Sequence, residues 1–245
     1  MQVPFIPPPE NSAELAAILS APPEPGRPYV YRGTRCHINK FGILNPAALE
    51  KVIRCTTRLR AESLTANPID GDFDLDHLRA IHRHLFQDVY HWAGELRLVD
   101  FQRNKSLFST AEGADEASQS LPEGLGPPVQ FTKAADIEAE SRRLFDELAR
   151  EKYLRGLDRA EFVNRGVYYL SEVFHIHPFR DGNGRTTRMF FHQLAARAGW
   201  ELDLNQIPHA VRHTSAYRAH CGDPSELSEL FEQSLRNLPP NEETA

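Results

Sequence analysis

Between residues 175 and 188 the chain reads His175-Ile176-His177-Pro178-Phe179-Arg180-Asp181-Gly182-Asn183-Gly184-Arg185-Thr186-Thr187-Arg188. A turn built on Asp181-Gly182-Asn183-Gly184 leads into a new helix near Gly184, and the first turn of a helix offers backbone N–H groups without intrahelical partners. The macrodipole favours negative charge at the same place, and small residues let an anion approach the backbone closely. Arg185 and Arg188 stand three apart, on one face of that first turn, where charge-assisted hydrogen bonds can clamp phosphate oxygens. Asp181 is a hard oxygen ligand, and one carboxylate plus substrate phosphates is a common way to hold Mg²⁺. His177 supplies a base able to take a proton near neutral pH. Anion nest, metal carboxylate, arginine pair and imidazole within the span 177–188 describe phosphoryl-type transfer, in which positioning and charge neutralisation do most of the work. DGNG alone is also a common turn, and arginines after a turn are often solvated; the defined His-Pro-Phe lead-in separates this run from that plain reading.

These residues need two helices to hold them. Pro178 ends the first, because a residue before proline avoids the helical region. That helix opens at Asp158-x-x-Glu161, a capping box, and carries Phe162, Tyr169, Leu170, Val173 and Phe174. The second carries Met189, Phe190, Leu194 and Ala198 and stops at Gly199. Upstream, Asn45-Pro46 is a cap with proline at the first helical position, ahead of Leu49, Val52, Ile53 and Leu59. Further stripes run through Leu75, Leu78, Ile81, Leu85 and Val89, and through Ile137, Leu144, Phe145 and Leu148. Asp223-Pro224 starts a last helix with Leu227, Leu230, Phe231 and Leu235. Only Leu96–Phe101 reads as extended, as half of a short hairpin. The expected fold is all-α, a single helical domain.

The 245 residues suit one large domain. Eight of the 18 prolines lie in the first 28 residues, which sets residues 1–28 apart as a tail or polyproline-like spacer with one short helix near Ser12–Leu19. Residues 29–236 form the expected catalytic domain and 237–245 a C-terminal tail. Mean hydropathy is negative and no run approaches the roughly 20 apolar residues of a membrane span, so no membrane role is expected. The amino terminus has no basic region followed by an apolar run, and a cytoplasmic location is expected, with delivery by machinery that needs no cleaved signal left open. The formal charge of −6 disfavours nucleic acid as a partner. Cys36, Cys55 and Cys221 lack the spacing of a disulfide framework or a thiolate zinc site. His77, His82 and His84, like His209, His213 and His220, read as core or surface residues rather than metal ligands, and Trp92 and Trp200 as core.

From His177 to Arg188 the chain matches every fixed position of H-P-F-x-[D/E]-G-N-G-R-x-x-R, and so resembles the Fic family. The resemblance extends over roughly Tyr29 to Trp200, through Tyr29-x-Tyr31-x-Gly33-Thr34, Asn39-Lys40-Phe41-Gly42-Ile43 and His82-Arg83-His84-Leu85-Phe86-Gln87-Asp88-Val89-Tyr90-x-Trp92-Ala93-Gly94-Glu95-Leu96-Arg97; these look like the single-domain bacterial Fic toxins. It implies an α-helical fold and transfer of AMP from ATP, with Mg²⁺, to a Ser, Thr or Tyr hydroxyl of a target protein. Carried over by position, His177 would deprotonate the target hydroxyl and Asp181 would hold Mg²⁺. Gly182, Asn183 and Gly184 would cradle the phosphates, with Asn183 near the α-phosphate. Arg185 and Arg188 would bind the β- and γ-phosphates, and Phe179 would anchor the loop in the core.

The resemblance also implies a β-hairpin flap over the active site that aligns the target by strand addition. Its pattern corresponds to Arg103-Asn104-Lys105-Ser106-Leu107-Phe108, with Arg103 and Asn104 where the family has Lys and Gly. The loop Ala111–Pro128, rich in Gly, Pro, Ser and acids, is unusually long and reads as a solvated insertion or as a target-selecting arm. Many members carry an inhibitory helix, [ST]-x-x-x-E-[GN]. Glu10-Asn11, Glu112-Gly113 and Glu123-Gly124 have Ile6, Phe108 and Gln119 four residues back, and none fits. Either the chain is uninhibited, or a separate small antitoxin-like protein supplies the glutamate; the second is the expectation. Rival readings are transfer of another phosphate-containing group, a nonenzymatic nucleotide- or partner-binding module, and a metal-dependent hydrolase.

Overall fold

In the computed structural model, which describes residues 12–100 and 131–238, helices begin where the sequence supplies caps. Helix α1 spans Ser12–Ser20. Helix α2 (Pro46–Ala66) opens on Asn45, whose Oδ1 accepts from Ala48 N–H at 2.9 Å. Asp74 does the same for α3 (Leu75–Phe86) through His77 N–H at 2.8 Å. Helix α4 covers Ile137–Arg150. Both bonds of the expected capping box open α5 (Arg159–Ile176): Glu161 N–H donates to Asp158, and Asp158 N–H to the Glu161 carboxylate. Helix α6 (Asn183–Ala198) stops at Gly199, left-handed with φ +93°. Helices α7 (His209–His220) and α8 (Ser225–Gln233) follow.

Helix α5 is the central post, packed by α4, α6, α7 and α8, while α3 bridges α2 and α6. Ile81 and Phe86 of α3, Leu144 of α4, and Phe190 and Leu194 of α6 are fully buried, with Phe162 and Val173 of α5 beside them in the core; at about 1.5–3 kcal/mol each, such burial is the main force holding the helices together. One small sheet closes the C-terminal part: β1 (Trp200–Leu202) runs antiparallel to β2 (Leu235–Asn237), with Leu202 opposite Leu235. Residues 24–27 are tied to the domain, because Arg27 donates to Thr34 O at 2.9 Å and Glu24 accepts from Gly33 N–H at 3.1 Å.

The mostly helical fold is as expected, with local differences. Leu96–Asp100 is not a strand: Arg97 N–H donates to Pro178 O and Leu98 N–H to the Tyr29 hydroxyl, so these donors are spent away from any neighbouring strand. Leu59, placed on the apolar stripe of α2, is 61% exposed. Helix α7 and the β1–β2 pair were not expected. The flap residues Arg103–Phe108 and the loop Ala111–Pro128 lie outside the described residues.

Candidate active site

Helix α5 ends as the sequence requires, and the next residue turns the chain sharply. His177 is left-handed (φ 47°, ψ 61°), its N–H still bonded to Val173 O; that conformation costs a non-glycine residue roughly 1–2 kcal/mol and must be imposed by its surroundings. Phe179 is buried, and Asn183 locks its backbone. Phe179 N–H donates to Asn183 Oδ1 at 2.9 Å, and Asn183 Nδ2 donates to Phe179 O at 2.8 Å. The His82 ring stacks on Phe179 at 3.9 Å and contacts Asp181 O through Nε2 at 3.0 Å. Gly94 N–H donates to His82 Nδ1, which leaves the proton on Nε2. Burial pushes the His82 pKa down to about 4, so the ring is neutral at pH 7.

The loop then presents its anion-binding groups. Asp181 Oδ1 accepts from Gly182 N–H at 2.6 Å, and Oδ2 from the Tyr90 hydroxyl at 3.1 Å. Burial alone would raise the Asp181 pKa; the Arg185 guanidinium at 3.7 Å, with His37 and these two hydrogen bonds, outweighs it and holds the carboxyl at about 2. The carboxylate is therefore ionised, and its side chain stays 31% exposed. The first intrahelical bond of α6 runs from Thr186 N–H to Gly182 O, so the N–H groups of residues 183–185 precede it at the helix N-terminus.

The two arginines differ in setting. Arg185 lies over the Phe86 ring at 4.7 Å and reaches Thr57 Oγ1 at 3.4 Å. Arg188 donates through Nε to Asn205 Oδ1 at 2.8 Å, and among the described residues it forms no ion pair. Burial, with Arg212 and Arg185 adding like charge, pulls its pKa down to about 9, which leaves it charged at neutral pH. Asp203 acts in the opposite sense but more weakly than the two guanidinium groups, so the surroundings of Arg188 carry an excess of positive charge. His177 completes the arrangement, its ring stacked on Phe131 at 4.1 Å and edge-on to Phe174 at 6.0 Å.

Thus His177, Asp181, Gly182, Asn183, Gly184, Arg185 and Arg188 all lie on one α5–loop–α6 turn. Asn183 uses its side chain to close the loop, leaving its backbone N–H to face an anion. Motif reading had no role for Tyr90, His82, Thr57, Asn205 or Arg212. Tyr90 and His82 fall inside runs that carried the family resemblance; Arg212 sits in the helix that the hydrophobic pattern did not show.

One turn therefore carries an imidazole, a carboxylate, a helix N-terminus and two guanidinium groups. The profile of the Fic/DOC family matches residues 72–195, and the chain belongs to that family. It is 35% identical over 214 residues to the protein adenylyltransferase VbhT of Bartonella schoenbuchensis, covering 87% of this chain but 40% of that protein. It is 33% identical to the probable protein adenylyltransferase Fic of Escherichia coli, covering 83% of this chain and 90% of that one. Among solved structures, the BepC protein of Bartonella tribocorum, a VirB-translocated effector with bound AMPPNP, superposes with a TM-score of 0.72 at 28% identity, covering 86% of this chain and 97% of that chain.

Proposed function

We propose that the chain is a protein adenylyltransferase that moves AMP from ATP to a Ser, Thr or Tyr hydroxyl of another protein and releases pyrophosphate. The observation that carries this reading is the joint placement of the left-handed His177, the ionised Asp181 and the Arg185–Arg188 pair on one loop and the first turns of the helix behind it. His177 Nδ1 is buried, so Nε2 is the nitrogen that takes the hydroxyl proton. The freed oxygen bonds to the α-phosphorus, and the bond from that phosphorus to the α,β-bridging oxygen breaks. Residues 183–185 bind phosphate oxygens through their backbone N–H groups, and Arg185 and Arg188 stabilise the departing pyrophosphate. Asp181 fits Mg²⁺: it is a single ionised, partly exposed carboxylate beside the phosphate nest. The ion, when bound, would neutralise phosphate charge.

The neighbouring proteins support the nucleotide, since the BepC structure holds AMPPNP. The neutral Asn205 partner of Arg188 supports restraint by a separate inhibitor that brings its own glutamate. The test is ATP labelled at the α- or the γ-phosphate, incubated with cell extract and either the wild-type chain or His177→Ala. Protein labelled only from the α-position, and lost in His177→Ala, is expected. Label only from the γ-position would make the chain a kinase. No label despite verified ATP binding would make it a binding module.

A further inference from the structure

Arg97 heads the fully buried side chains by volume, and its side chain has no exposure at all. A buried guanidinium is tolerated only when its donors are spent, and here they are spent on backbone around the histidine. Nε donates to His177 O at 2.8 Å, and Nη2 to Ile176 O at 3.4 Å and to Thr132 O. Nη1 donates to Val99 O at 2.9 Å, and the Arg97 backbone N–H to Pro178 O at 2.9 Å. Among the described residues its ion pair is with Asp100, 3.8 Å away and 65% exposed, and carbonyl dipoles add to the compensation. Two of them belong to the C-terminal end of α5, where the macrodipole is negative and carbonyls lack intrahelical partners.

The geometry has a particular consequence. Ile176 O and His177 O lie in the two peptide planes that flank the His177 Cα, and a peptide plane is rigid. Fixing both oxygens from one guanidinium fork fixes φ and ψ of His177, the residue held in a left-handed conformation that its Cβ disfavours. The same fork holds Thr132 O, next to Phe131, whose ring stacks on the imidazole. We infer that Arg97 is the positioning residue of His177: it imposes the backbone turn that aims the imidazole, and it seats the aromatic ring against which the imidazole rests. This rests on His177 being the base, and the test separates the two.

Arg97→Lys keeps the charge without the fork, and Arg97→Met removes both. For Arg97→Met the rate of α-phosphate label incorporation at saturating ATP should fall about 100-fold while AMPPNP affinity changes less than about 3-fold, with Arg97→Lys between. An unchanged rate, or an affinity that falls in parallel with the rate, would overturn the assignment. Should the wild-type chain transfer no AMP, the ¹³Cα shift and ring resonances of His177, identified with His177→Ala, still decide. They should move in Arg97→Met to values of an ordinary backbone and a second ring environment, and identity with wild type would overturn the inference. Should neither variant fold, the wild-type Arg97 Nε–H is read directly. Exchange as slow as the α5 amides is expected; exchange as fast as that of surface arginines would refute the fork.

Discussion

At Gly182 two independent constraints meet: φ is +81°, and an added Cβ would lie 2.3 Å from the Phe86 ring, which is fully buried and cannot yield. Gly182→Ala should therefore destabilise the fold by about 3 kcal/mol, the sum of a left-handed penalty and overpacking, read as a lowered urea midpoint. Gly184 is different, since a Cβ there would meet only the movable end of Arg188 at 3.3 Å, and Gly184→Ala should leave that midpoint nearly unchanged. Arg188 faces like charge, so Arg188→Ala should weaken AMPPNP binding more than AMP binding, by calorimetry about tenfold or more, because charge-assisted bonds to the outer phosphates are lost. The gathering of His177, Asp181, Arg185 and Arg188 at one turn was legible from sequence because their spacing is local. The groups that aim them were not. Tyr90 and His82 reach Asp181 across 91 and 99 residues, Thr57 reaches Arg185 across 128, and Arg97 reaches His177 O across 80; no local spacing encodes such partners.

Helix α5 carries a stabilising cap at one end and the proposed base His177 at the other. Its 18 residues span about 27 Å, so the Asp158–Glu161 capping box lies far from His177. Asp158→Ala should cost about 1 kcal/mol of stability, seen as a lower melting temperature, with AMPPNP affinity unchanged; a change in affinity would mean that fraying at the cap reaches the site. This capping box, the Asn45-Pro46 start and the Gly199 stop were readable because each is a local bargain between a side chain and orphan backbone groups. Helix α7 was not, because His209-Ala210-Val211-Arg212-His213 offers too few apolar residues to reveal a face. Strands β1 and β2 have three residues each, too short to show alternation, and they pair across most of the C-terminal region. Leu96–Phe101 looked extended for its Leu-x-Leu-Val pattern, but the Arg97 and Leu98 N–H groups found Pro178 and Tyr29 instead of a neighbouring strand.

At the scale of the whole molecule, buried imidazoles set the response to acid. His37, His77, His82, His175 and His220 all have pKa values lowered from 6.5, in each case first by burial, and His82 and His175 lie at about 4. Between roughly pH 6.5 and 4 the unfolded chain therefore binds more protons than the folded one, and stability must fall as pH falls through that window. His82 alone accounts for on the order of 3 kcal/mol. Glu50, raised chiefly by burial, works in the opposite sense. Discharge of the −6 net charge also opposes the trend, but it relieves only screened repulsion between surface groups. The urea midpoint at pH 5 should lie clearly below that at pH 7.5, and His82→Gln should lower the midpoint at pH 7.5 while flattening the slope. A midpoint equal or higher at pH 5 would contradict the assignment of these rings as neutral. Asp181, held at about 2, stays ionised throughout the same window, so a loss of AMPPNP binding between pH 6.5 and 4 does not come from protonation of the loop carboxylate.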